Sequence, residues 1–127
     1  MNQYAVHFRW VVILGVLLNW FFDLPGIFVP NTVLDWGGIA PIQTPVWLAF
    51  GCMMSALVGL FCIVGAIDPF RYAPIAILAV LARLASASFF LFLWTEHRLF
   101  GWIDLSFGVV QAILLWLALR RGPTANA

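Results

Sequence analysis

The chain has 127 residues, of which 65% are hydrophobic and 9% charged, with a formal net charge of +1. So little polar surface could not cover a water-soluble globule, and so small a charge carries no expectation of a nucleic-acid partner. The composition is that of an integral membrane protein whose first partner is the lipid bilayer.

Four uncharged or nearly uncharged runs, 8–24, 46–67, 72–94 and 99–119, each approach the roughly 20 residues that a helix needs to cross roughly 30 Å of hydrocarbon. The runs are continuous rather than alternating, which disfavours a membrane barrel. The expected fold is therefore all-α: one four-transmembrane-helix bundle occupying 1–127.

The first run has Arg9 before its apolar core and carries Asn19 and Asp23. These two polar residues interrupt the core that a secretory signal would need. The small-residue site at 38–40 is followed by Pro41, so the run is expected to remain as a span. The connection 25–45 contains four prolines and the pair Gly37-Gly38, which predicts a compact irregular or interfacial segment with Asp35 solvated. In the second run, Cys52 and Cys62 lie roughly 15 Å apart on one helix, too far for a disulfide, and read as small apolar packing groups together with Met53 and Met54. A tight turn follows, in which Asp68 and Arg71 bracket Pro69 and Phe70 and are expected to form a local ion pair. The third run holds Arg83 near its middle, and the segment Glu96-His97-Arg98 reads as a wet loop before the fourth run, which contains Asp104 and Gln111.

Orientation follows from the arginines, since the chain has no lysine. Arg9, Arg71, Arg120 and Arg121 fall on one side and Arg98 on the other, which predicts that both termini are cytoplasmic. Trp36, Trp47, Trp94 and Trp102 cluster near the opposite boundary, where indole rings favour the interface.

At about 1.5 Å per residue from the cytoplasmic side, Asn19, Ser55, Arg83 and Gln111 fall at depths of roughly 15, 18, 16 and 14 Å. Each lies on a stripe with small or polar residues at helical spacing, as in Gly51-Ser55-Gly59, which predicts interhelical seams. A guanidinium in hydrocarbon needs a partner. Asp23 and Asp104 are both within reach. Asp23 is preferred because its side chain leans back toward Arg83, whereas Asp104 on a returning helix leans away. The resulting polar cluster is Arg83, Asp23, Asn19, Ser55, Gln111 and Asp104. It reads first as a structural clamp and second as a site for an anionic or carbonyl-bearing ligand such as a quinone.

Catalytic chemistry finds little support. His7 and His97 are predicted on opposite sides of the membrane, which excludes a bis-histidine haem within the chain. No dithiol pair, phosphate-binding glycine loop, metal-spaced His/Glu pair or Ser/His/Asp set assembles on one side, so no enzyme activity, metal or cofactor is expected. In size and span count the chain is similar to the small multidrug transporters. That family places an acidic residue near the middle of the first span, where this chain has Asn19, with Asp23 one turn later. The expectation is a non-catalytic accessory or assembly subunit in a bacterial-type inner membrane, associating with other integral subunits or with itself. The alternatives are a small oligomeric transporter or channel using the polar layer, and a quinone- or lipid-binding protein centred on Arg83.

Overall fold

The computed structural model describes residues 1–123. The described chain is helical, without strands, and four of its helices are long and apolar enough to cross a membrane. In chain order the elements are α1 (Gln3–Phe28), the short α2 (Pro30–Trp36), α3 (Val46–Ile67), α4 (Ala73–Ser88) and α5 (Arg98–Arg121). Between α4 and α5 the chain makes a π-helical turn, Phe89–Leu93, and a 3-10 turn, Thr95–His97. Two compact units result: one formed by Met1–Ile13 with Phe61–Ala127, the other by Leu14–Leu60.

α1 is longer at both ends than the apolar run at 8–24, for local reasons. At its start, Asn2 Oδ1 accepts the Ala5 backbone N–H at 2.9 Å, an N-cap that begins the helix before the hydrophobic run does. At its far end Pro25 lies inside the helix. Proline removes one backbone donor, but the helix continues for a turn and Val29 N–H donates to the Pro25 carbonyl at 2.7 Å.

The connection 25–45 is less irregular than its prolines and glycines imply, because Pro30 occupies the first turn of α2, where a missing N–H costs nothing. α2 ends in a Schellman motif. Ile39 N–H donates to the Leu34 carbonyl and Gly38 N–H to the Asp35 carbonyl, each at 2.9 Å, with Gly38 at φ +67°. Asn31 then ties down the following strand of loop: its amide donates to the Ile42 carbonyl at 3.3 Å and its Oδ1 accepts the Ile42 N–H at 3.0 Å.

Within the second unit, α1 packs on α3 at Gly59. A Cβ there would come within 2.9 Å of Trp20 Nε1 and 3.0 Å of Val16 Cγ1, and the same indole donates to the Ala56 carbonyl at 3.1 Å. The seam predicted along Gly51-Ser55-Gly59 is therefore only partly used, since Gly51 faces open space. A small residue permits close approach but does not compel it.

The first unit is built around the α4–α5 hairpin. Here glycine permits close approach: a Cβ at Gly101 would meet Leu91 Cγ at 2.8 Å, and one at Gly108 would meet Leu84 Cδ2 at 2.9 Å. The end of α3 joins the same unit through Gly65, whose missing Cβ leaves room for the Ala76 backbone nitrogen. The turn before α4 is shaped by Asp68, whose Oδ1 accepts the backbone N–H groups of Phe70 at 3.2 Å and Arg71 at 3.1 Å. Arg71 places its guanidinium over the Tyr72 ring, 5.4 Å from the centroid. The aspartate that was expected to pair with an arginine side chain thus caps backbone instead.

Candidate functional site: a polar clamp between two apolar helices

α4 is almost entirely alanine and branched aliphatic, and its buried face is Ala76, Ala79, Val80 and Ala87. Arg83 lies on that face. Opposite it, α5 presents Asp104, Phe107, Gly108 and Gln111, which share one face at i, i+3, i+4 and i+7. Arg83 Nη1 donates to Asp104 Oδ1 at 2.6 Å, and the side chains of the two residues are 11% and 14% exposed. Ser86, one turn beyond Arg83, donates its hydroxyl to the other carboxylate oxygen of Asp104. The guanidinium carbon also lies 5.6 Å from the centre of the Phe107 ring, a cation–π contact that adds to the ion pair.

Asp104 is thus a direct partner of Arg83, although its lean along α5 was expected to carry it away. Proximity outweighs lean here. With glycine at 101 and 108 the backbones of the hairpin draw together, and an arginine stem easily covers a rise of one helical turn. Ser86 then completes the carboxylate from one turn further along α4. The arrangement satisfies the general condition for a buried ion pair, which offsets its desolvation only when the remaining lone pairs also find donors.

Gln111 is 2% exposed, and its Oε1 is buried with no hydrogen-bond partner. It therefore lies on the clamp's face of α5, two turns beyond Asp104, without belonging to the clamp. Asn19, Asp23 and Ser55, the other members of the predicted cluster, lie in the second unit, half-buried on α1 and α3.

Two features escaped the sequence reading. The first is Asn2, 6% exposed, which besides capping α1 donates its side-chain amide to the carbonyls of Ala118 and Gly122, each at 2.8 Å. One side chain thereby satisfies a donor at the start of α1 and two acceptors at the end of α5. The asparagine six residues before an apolar run was the available signal, but nothing in the sequence linked it to residues more than a hundred positions away. The second is the π-helical turn closed by Trp94 N–H on the Phe89 carbonyl at 2.9 Å. The wider turn brings residues five apart into register, so Phe89 and Trp94 rings meet at 5.9 Å. His97, half-exposed, joins this aromatic group, 6.4 Å from both Trp94 and Phe100 ring centres.

Among the described residues, no group of three or more His, Cys, Asp or Glu side chains could hold a metal ion. Cys52 and Cys62 are both free thiols. Comparison with known family models, with curated proteins and with solved structures finds no match for this chain.

Proposed function

We propose that the chain is a multi-pass protein of a bacterial-type inner membrane, with both termini cytoplasmic, serving as a non-catalytic accessory or assembly subunit of a larger membrane complex. The observation that carries this reading is the Arg83–Asp104–Ser86 set. Both oxygens of the carboxylate are engaged from α4, so the charges lock two helices together instead of standing open to a substrate. A hairpin fixed in this way offers a firm apolar flank to its surroundings. Phe92, Leu93 and Leu99 near the turn are 77%, 79% and 70% exposed, a surface suited to lipid or to a neighbouring subunit. Purification of the tagged chain in mild detergent tests the proposal, with a stoichiometric protein partner as the expected result. A homo-oligomer free of other proteins would instead favour a small transporter or channel.

Gln111 favours a second reading, in which a quinone or lipid binds beside the clamp. Its unmatched Oε1 is an acceptor in apolar surroundings, which the hydroxyl of a quinone in its reduced, quinol form or of a lipid headgroup would satisfy. A ligand of this kind present at 100 times its Kd would stabilise the purified protein by about 2.7 kcal/mol. Gln111→Leu would abolish that gain while leaving the clamp intact.

A further inference from the structure

A shallow cavity of about 240 Å³ runs between α4 and α5. Ile77 and Leu81 form one wall, and Ala112, Leu115, Trp116 and Leu119 the other. It is open along one side, with Leu81 52% and Trp116 57% exposed. Enclosed sites for drug-sized ligands run to roughly 300–1,000 Å³ and carry a few placed polar groups. This groove is smaller, open and apolar, a shape that suits a flexible hydrocarbon chain which keeps one side in the bilayer.

The groove has a charged end. Arg120 follows the last groove residue on α5, and its guanidinium carbon lies 5.1 Å from the centre of the Trp116 ring, against the groove wall. Stacking on the indole holds the flat face of the guanidinium and leaves its N–H edge available, the geometry that suits phosphate oxygens. Arg121 beside it lies over Tyr4 at 4.7 Å, and Arg71 stands at the start of α4 at the same end of the hairpin. The acidic residue of this end, Asp68, is engaged with backbone N–H groups of its own turn. Trp116 and Ala112 lie one and two helical turns below Arg120, so the groove spans roughly 12 Å, the upper part of one leaflet.

We propose that this groove is a binding site for an anionic phospholipid, with one acyl chain lying between Leu81 and Trp116 and the headgroup phosphate on Arg120, supported by Arg121. Charge complementarity selects the occupant: a zwitterionic lipid fills the groove equally well but gains less from two adjacent arginines. The site requires that the helices span a bilayer and is independent of any protein partner.

The test is native mass spectrometry of the intact chain released from vesicles of equal parts phosphatidylglycerol and phosphatidylcholine. The wild-type protein is expected to retain phosphatidylglycerol preferentially, with the preference falling about five-fold for each of Arg120→Gln and Arg121→Gln, the fold-change equivalent to about 1 kcal/mol per surface arginine. Arg120→Lys keeps the charge and should keep most of the preference. Ala112→Phe fills the groove and should reduce retention of both lipids while leaving the melting temperature in lipid-free detergent unchanged. Equal retention of the two lipids by the wild type would overturn the proposal. So would undiminished retention by Ala112→Phe, or displacement of the lipid by tail-free glycerophosphoglycerol, since either result would leave the groove without a role.

Discussion

Arg83 and Asp104 are each costly in an apolar setting alone, and together they form a contact of 2.6 Å with Ser86 closing the set. Removing one member of such a pair strands the other, at a cost of about 3–5 kcal/mol, whereas removing both leaves no uncompensated charge. Arg83→Leu and Asp104→Leu should therefore each destabilise the protein more than the double substitution does, as measured by unfolding in mixed micelles. Additive losses would show that the contact carries no coupling. Ser86→Ala, which removes a hydrogen bond to a charged group, should cost about 1.5–3 kcal/mol. Asn2 invites a separate experiment, because its two atoms do different things. Asn2→Ala should cost about 1–2 kcal/mol through loss of the cap. Asn2→Asp keeps the acceptor for Ala5 but sets a carboxylate against the Ala118 and Gly122 carbonyls, so it should fail to restore stability. Full rescue by aspartate would mean that the link to α5 contributes nothing.

Among helices this apolar, burial does not decide which faces meet, since lipid is as apolar as leucine; close approach and hydrogen bonding do. Glycines that look equivalent in the sequence consequently differ. A methyl group at Gly65 would lie 2.8 Å from the Ala76 backbone nitrogen, which cannot swing aside as a side-chain tip can, so Gly65→Ala should cost about 1–3 kcal/mol. Gly59→Leu should likewise displace Trp20 and weaken the packing of α1 on α3. Gly51→Ala meets nothing within 4 Å and should lie within about 0.5 kcal/mol of the wild type. Unfolding midpoints of the three variants under one set of detergent conditions provide the check, and equal changes at Gly51 and Gly65 would show that contact with the Ala76 backbone does not set the cost, since helix propensity favours alanine at both positions.

Across the chain, the arginines remain the strongest guide to orientation. Asn2 joins the start of α1 to the end of α5, which puts Arg9, Arg71, Arg120 and Arg121 toward one end of the first unit, with Arg98 at the other end of α5. If the positive-inside rule holds, a single cysteine at position 31 in a background without Cys52 and Cys62 should react with an impermeant thiol reagent in intact cells, and one at position 3 should not. Asn126, a natural second reporter for the same side as position 3, lies outside the described residues. Labelling at 3 or 126 without labelling at 31 would invert the topology.

The sequence alone determined that the chain is helical and that four of its helices are long and apolar enough to cross a membrane. Both follow from composition and run length, which act one segment at a time. It also marked Arg83 as a residue that must find a partner, because the cost of an unpaired guanidinium in hydrocarbon does not depend on the neighbouring fold. That Asp104 is a partner was shown only by the tertiary structure: a lean of a few ångströms favoured Asp23 in the sequence, and the close approach of α4 and α5 at Gly101 and Gly108 brings Asp104 into contact. The bond from Asn2 to the end of α5, the ring contacts gathered by the π-helical turn and the open face at Gly51 were hidden for the same reason. Each depends on the separation and rotation of helices, set by packing between segments far apart in the chain, and helical periodicity specifies faces without saying which faces meet.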